Sequence, residues 1–384
     1  MWHHYLNLSP TPAKMVHGRS GLPPRTLYNH DIMHCTAEGV SGNEFYSARA
    51  LGMTLPDDII QLSPHLKPEW PAITAHYERI GLTHTRDVIW STTLEHVALH
   101  PDIEPSVFFF GENEHSTCRN QRWFEVVDRI NSKNNFIALA HELGVPVPET
   151  YCFDHAGLVA TVNREEIAFP CYLKAAISVS GVGIYRVENH NELLEKAALF
   201  DADTPVQIQE EVITNCFLNM QYEATEGRAE RLLTTQQILD GNAHQGNIYP
   251  ARAEPWETVE PMAQWMVKQG MREVFAFDVA VIEETGKPPR YLAIECNPRY
   301  NGASYPTAIA LKLDIHEWEV KYFRTRRRSL SSIDLSDLEY NPETGEGVII
   351  VNWGPILVGK LMLMLAGPSQ VRRQLESDLV RRLW

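Results

Sequence analysis

Residues 274–304, VFAFDVAVIEETGKPPRYLAIECNPRYNGAS, constrain the fold more than any other stretch of this chain. Two apolar, β-branched and aromatic runs, 274–282 and 291–296, flank a polar turn that holds Gly286, Pro288 and Pro289. That arrangement predicts a β-hairpin. Each run carries one carboxylate where a buried strand would take another aliphatic residue, Asp278 in the first and Glu295 in the second. A buried carboxylate is costly without a partner. The partner is either a bound cation or, as in structural ion-pair networks, an arginine. Asn297 lies two residues beyond Glu295, so strand alternation puts both on one face, and Arg299 continues the series at the strand's end. Two carboxylates and an amide oxygen form a hard-oxygen set of the kind magnesium takes when it also holds phosphates.

The upstream chain adds anion-binding features. An apolar run, FPCYLKA at 169–175, contains Lys174, and a lysine inside such a strand implies an anion at a cleft. The loop AISVSGVG follows directly, with Ser178, Ser180, Gly181 and Gly183, and its glycines let backbone N–H groups approach oxygens. It is not a Walker A loop, because no G-K-[ST] occurs there. A strand at 184–187, an amphipathic helix at 191–200 and a strand at 206–212 come next. Between residues 122 and 143 the apolar positions recur at helical spacing in two helices that meet near 131–135; the second ends at Gly144, before VPVPET.

The ordered set of Lys174, glycine loop, Asp278 and Glu295-Cys296-Asn297-Pro298-Arg299 resembles the ATP-grasp superfamily, of the carboxylate–amine ligase type, over roughly residues 126–320. The resemblance implies an α/β chain with α+β lobes: two lobes sandwiching ATP, preceded by a small parallel-sheet α/β domain that contributes to the acceptor site. The implied boundaries are 1–121 for that domain, 122–325 for the ATP-grasp domain (small lobe about 155–208, large lobe about 209–325) and 326–384 for an extension closing the large lobe. In the family the residues matching Asp278, Glu295 and Asn297 hold two Mg2+ ions, for which Mn2+ can substitute, and the one matching Arg299 contacts the reacting phosphoryl and acyl groups. Lys174 matches the lysine on the α- and β-phosphates, residues 178–183 the loop over the triphosphate, and Lys133 a further phosphate lysine. Adenine is expected against the backbone of Glu210 and Val212. The family's ribose acid is missing from ITNCFLN at 213–219, so Glu211 is taken as its substitute. Residues 231–253 read as strand and then a soft loop, DGNAHQGNIYPAR, in which His244 is a substrate candidate. Asn301 and Gly302, ahead of a helix at 306–313, form a cradle for a carboxylate or acyl phosphate.

The expected activity is an ATP-dependent ligase that makes an amide or peptide bond through an acyl phosphate, on an amino acid or small peptide, releasing ADP and phosphate. An ATP-grasp acyl-CoA ligase, a small-molecule kinase and a non-catalytic nucleotide sensor remain as alternatives. The 384 residues carry 34 Lys+Arg against 49 Asp+Glu, and this charge of −15 argues against nucleic acid, whose backbone needs a basic stripe. Arg324 to Arg328 is the one dense basic cluster and reads as a solvated connection. Six scattered cysteines without a CxxC suggest reduced thiols and a cytoplasmic protein. No secretory signal is evident. Residues 356–367 are too short for a membrane span and read as a core element. Residues 1–120 predict strands at 87–90 and 106–110, a helix around 76–80 and a weak glycine turn, GVSGNE, at 39–44. A homodimer stays open.

Overall fold

The computed structural model describes residues 25–36, 41–108, 111, 113–114, 117, 120–178, 183–240 and 243–384. Three sheets organise them. The first is parallel, with strand order β3-β2-β1-β4, built from Thr26–Asn29 (β1), Ile59–Gln61 (β2), Asp87–Ile89 (β3) and Glu104–Val107 (β4). Parallel neighbours need crossovers. Here they are the 3-10 helix Asn43–Met53 and the helix Trp70–Arg79. The strand expected at 106–110 is displaced to Glu104–Val107, because this edge position accommodates Pro105. Phe109 and Phe110, like residues 39–40 of the glycine turn, lie outside the described residues.

The second sheet is antiparallel, with order β5-β8-β6-β7, from Thr150–Phe153 (β5), Cys171–Ala175 (β6), Ile184–Val187 (β7) and Val206–Glu210 (β8). In β6 the alternation is decisive. Cys171, Leu173 and Ala175 are buried; Cys171 and Leu173 pack with Ile208 on β8 and Leu193 of helix His190–Ala197. Tyr172 and Lys174 therefore occupy the opposite face.

The third sheet has eight strands in the order β13-β12-β9-β10-β11-β14-β16-β15. They are Phe217–Thr225 (β9), Arg228–Asp240 (β10), Ala243–Tyr249 (β11), Glu273–Ile282 (β12), Arg290–Asn297 (β13), Trp318–Arg324 (β14), Gly347–Asn352 (β15) and Lys360–Ala366 (β16). Helix Trp256–Gln269 buries Val259, Met262 and Met266 against Phe275, Phe277 and Met220, and helices Gln121–Asn131 and Lys133–Leu143 join the same core. A separate core unites Leu51, Ile60 and Tyr77 from the N-terminal unit with Ile309, Trp318 and Met364. The parallel sheet is thereby fused to the far half of the large sheet. The apolar segment at 356–367 supplies β16, whose residues 361–366 are fully buried between β14 and β15. Among the described residues no helix is long and apolar enough to cross a membrane, and the five described cysteines are free thiols; Cys118 lies outside them.

The soft loop expected near residues 240–253 is a correction. Ala243–Tyr249 is a central strand paired to both β10 and β14. Gly246, inside that expected loop, is required by close strand approach, since a Cβ there would stand 1.9 Å from the Val320 carbonyl oxygen. The strand expected at 206–212 likewise ends at Glu210, and the helix expected at 306–313 begins at Ser304.

Candidate active site

The hairpin of β12 and β13 sets Asp278 directly opposite Glu295, with a register shift after Asp278. Strands β9 and β10 lie beyond β12 and contribute amides to the same acid. Asp278 Oδ1 accepts from Asn219 Nδ2 at 2.8 Å and Gln237 Nε2 at 2.7 Å, and its Oδ2 accepts from Asn297 Nδ2 at 3.2 Å. Burial, together with the Glu295 carboxylate, pushes Asp278 up to about 8. Two facing acids away from bulk water resist ionising together. A cation would relieve that repulsion, and with its nitrogen on Asp278 the Asn297 side chain still has an amide oxygen to offer. Among the described residues no group of three or more His, Cys, Asp and Glu could hold a metal. Two carboxylates and an amide are thus no protein cage; they fit magnesium, which keeps other ligand positions for waters and phosphates.

Three cations surround this pair. Lys133 opens helix Lys133–Leu143, whose N-cap Ser132 accepts from the Asn135 amide. Its Nζ donates to Ser178 Oγ at 3.0 Å and lies 3.5 Å from Glu295 Oε2. Lys174 Nζ donates to Gln209 Oε1 on β8 at 2.6 Å. Burial pushes this ammonium down to about 8, the attraction of Glu295 opposing the shift and the charge of Lys133 adding to it. Arg299 Nη1 donates to Asn131 Oδ1 at 2.8 Å, and burial lowers the guanidinium from its ordinary range. A cavity of about 110 Å³ opens between Asn131, Lys133, Ser178, Glu295, Asn297 and Arg299. Residues separated by more than 160 positions in sequence therefore meet at one cleft between the four-stranded antiparallel sheet and the hairpin.

The remaining candidates are more dispersed. In the loop joining β6 to β7, Ser180 and Gly181 lie outside the described residues. Ser178 is at the cleft, and Gly183 (φ +75°) accepts from the Ala175 amide at 2.9 Å. Glu210 is tied to the incoming strand: its amide donates to Glu149 O at 2.9 Å and its carboxylate accepts from Glu149 N at 3.0 Å. Val212 follows the end of β8. Glu211 is gripped by Arg186 of β7 through Nε at 2.6 Å and Nη2 at 3.0 Å, and this pairing holds its carboxyl below the usual carboxylate range. On the other side, His244 and Gly302 are brought together, since a Cβ on Gly302 would lie 3.2 Å from His244 Cε1. His244 Nε2 bonds Asn247 Oδ1 at 2.7 Å. Asn301 Oδ1 accepts from the Ala303 amide at 2.8 Å, and its Nδ2 is buried without a partner among the described residues.

Several participants escaped the sequence reading: Asn131, Asn219, Gln237, Gln209 and Arg186. The signal for Asn219 and Gln237 was present, a carboxamide inside an apolar strand, but its partner is decided by strand order.

No family model matches the sequence, and no curated protein matches it. Solved structures match across nearly the whole chain. An N5-carboxyaminoimidazole ribonucleotide synthetase in complex with ADP superposes at TM-score 0.59 with 11% identity, over 93% of this chain and 97% of the other. The N5-carboxyaminoimidazole synthetase from Staphylococcus aureus complexed with ADP gives TM-score 0.58 and 11% identity, over 94% and 97%. Biotin carboxylase from Campylobacter jejuni in its β,γ-ATP complex gives TM-score 0.57 and 13% identity, over 90% and 87%. At such identities the likeness concerns the fold, and the chain has the ATP-grasp fold.

Proposed function

We propose that this protein is an ATP-dependent carboxylate–amine ligase that forms an amide or peptide bond on an amino acid or small peptide, with ADP and phosphate as products. One observation carries the reading: Lys133, Lys174 and Arg299 converge on the Asp278–Glu295–Asn297 hairpin, on a fold whose solved relatives hold ADP or an ATP complex. Asp278, Glu295 and Asn297 would hold two Mg2+ ions, with Mn2+ as substitute, and the metal would offset the charge of the phosphates and of the incoming carboxylate.

In this reading Lys174 and Lys133 bind the phosphates, whose charge is present before reaction. Ser178 and Gly183 present backbone groups beside them. Glu210 and Val212 present backbone groups to the base, and Glu211 lies by the ribose. The carboxylate oxygen forms a bond to the terminal phosphorus as the bond to ADP breaks. The amine nitrogen then adds to the acyl carbon, phosphate leaves, and the amine gives up a proton. Arg299 sits where charge grows on the transferred phosphoryl and on the tetrahedral carbon, so its contribution belongs to the transition state. Gly302 and Asn301, beside His244, face the acceptor side. A relative solved with ADP and 5-aminoimidazole ribonucleotide supports a small-molecule acceptor.

The test is an ADP-release screen over a matrix of amino acids and small carboxylic acids with amines, followed by mass spectrometry. ADP and free phosphate are expected only when both substrates are present, with a product lighter than their sum by one water. Phosphate retained on the product would make the protein a kinase, and nucleotide binding without turnover on any pair would make it a sensor.

A further inference from the structure

Arg49 is a buried charge outside the cleft just described. It lies on the 3-10 helix Asn43–Met53 of the N-terminal unit and is only 5% exposed. Its guanidinium carbon is 4.3 Å from the Phe108 ring centroid, 4.5 Å from that of Tyr305 and 5.2 Å from that of Tyr46. Aromatic faces give a cation partial compensation, but they accept no hydrogen bond along the guanidinium plane. Arg49 Nε and Nη2 are buried and have no acceptor among the described residues. A buried charged donor left unpaired is expensive, and an apolar residue would fill the same space without the cost.

The identity of the two orphan atoms is informative. Nε and Nη2 share one edge of the guanidinium plane, the edge that grips two oxygens of a single carboxylate or phosphate. The surroundings connect Arg49 with the cleft. Arg299 lies over the same Phe108 ring, 5.7 Å from its centroid, so Arg49 and the arginine at the cleft stand on one aromatic side chain. Tyr305, beneath Arg49, is held by His30 Nδ1 at 2.9 Å, and His30 Nε2 meets Ser106 Oγ at 3.0 Å, which anchors the aromatic wall to β4. Asp31 is near enough for its charge to be felt, yet its Oδ1 is committed to the Met33 amide at 2.9 Å.

We propose that Arg49 binds an oxyanion, a carboxylate or phosphate group, of the substrate that reacts with the activated carboxylate. The site lies between the N-terminal unit and the large sheet, one aromatic ring from Arg299. Assigning the anion to the acceptor rests on the ligase reading; the anion site itself rests only on the unpaired guanidinium edge.

The experiment uses the full chain saturated with a non-hydrolysable ATP analogue and Mg2+, so that the phosphate subsites are filled, at constant ionic strength in chloride. Inorganic phosphate and succinate are titrated separately by calorimetry, which distinguishes phosphate from carboxylate as the preferred group. Saturable binding of one of them is expected in the wild type, weakened tenfold or more in Arg49→Met and to a smaller extent in Arg49→Lys, which keeps the charge but not the two-donor edge. The analogue should bind all three proteins equally, which also shows that they are folded; should Arg49→Met fail to fold, Arg49→Lys alone makes the comparison. Absence of saturable binding of both anions in the wild type, or equal binding in the variants, overturns the proposal. Failure of the analogue to bind the wild type would instead refute the ligase reading, and the anion titration would still decide Arg49. Once the screen yields a substrate pair, the acceptor KM should rise at least tenfold in Arg49→Met with the ATP KM unchanged.

Discussion

Lys174→Met separates a lysine kept for a ligand from one kept for the fold. The ammonium is buried on β6, has one hydrogen bond to Gln209, and is pushed by burial from its ordinary 10.5 to about 8. A displacement of that size corresponds to about 3 kcal/mol against the charged form in the folded chain. Methionine is of similar length and carries no charge, so the substitution removes this cost and loses one charged hydrogen bond of about 1.5–2 kcal/mol. The nucleotide-free variant should therefore be more stable than the wild type by about 1–2 kcal/mol at pH 7, a rise in Tm of about 1–3 °C for a chain of this length. The pH dependence has a definite sign. With its native pKa below the unfolded one, Lys174 binds fewer protons folded than unfolded between about 8 and 10.5, so stability from this group rises with pH across that window. The advantage of the variant should be full below about pH 8 and fade towards 10.5. ATP affinity, measured on the same preparations, should fall tenfold or more. Calorimetric melts from pH 7 to 10.5 make the check: a variant less stable than wild type, with a gap that does not change with pH, would refute the idea that burial strains this ammonium until an anion arrives.

Glu295→Gln should leave the melting temperature nearly unchanged and abolish ATP turnover, because an amide fills the same space but cannot balance a divalent cation; a residual rate above about a tenth, a loss under ~1.4 kcal/mol of barrier, would sink the metal assignment. Arg299→Met should depress kcat by about 10² with little change in the ATP KM, and steady-state kinetics showing the reverse pattern would remove Arg299 from the reaction. Lys312→Met should behave oppositely to Lys174→Met although burial pushes this ammonium down to about 8 as well: its Nζ donates to the carbonyls of Gly52, Thr54 and Thr83 at 3.2, 2.7 and 2.8 Å, the first two in buried residues, so three charged hydrogen bonds outweigh the relieved burial cost and a net loss of about 1–3 kcal/mol is expected in urea unfolding.

The hairpin and the lysine strand were legible in the sequence because their chemistry is local. A carboxylate or lysine at one position of an apolar β-run, with period-two alternation, states both the face and the need for a partner. The helices at Gln121–Asn131 and Lys133–Leu143 were legible from their apolar spacing and from Gly144, whose left-handed φ of +68° ends the second. What remained hidden depends on contacts between distant segments. Whether Gly246 belongs to a loop or a central strand was decided by the approach of Val320, and the donors that hold Asp278 were decided by β9 and β10 lying beyond β12. Arg186 beside Glu211, Asn131 beside Arg299 and the rings around Arg49 were settled by packing in the same way. Sequence by itself determined which side chains could not be buried alone. Only the tertiary structure decided what each one meets, because hydrogen bonds and ion pairs act over a few ångströms and strand order, not spacing along the chain, sets those distances.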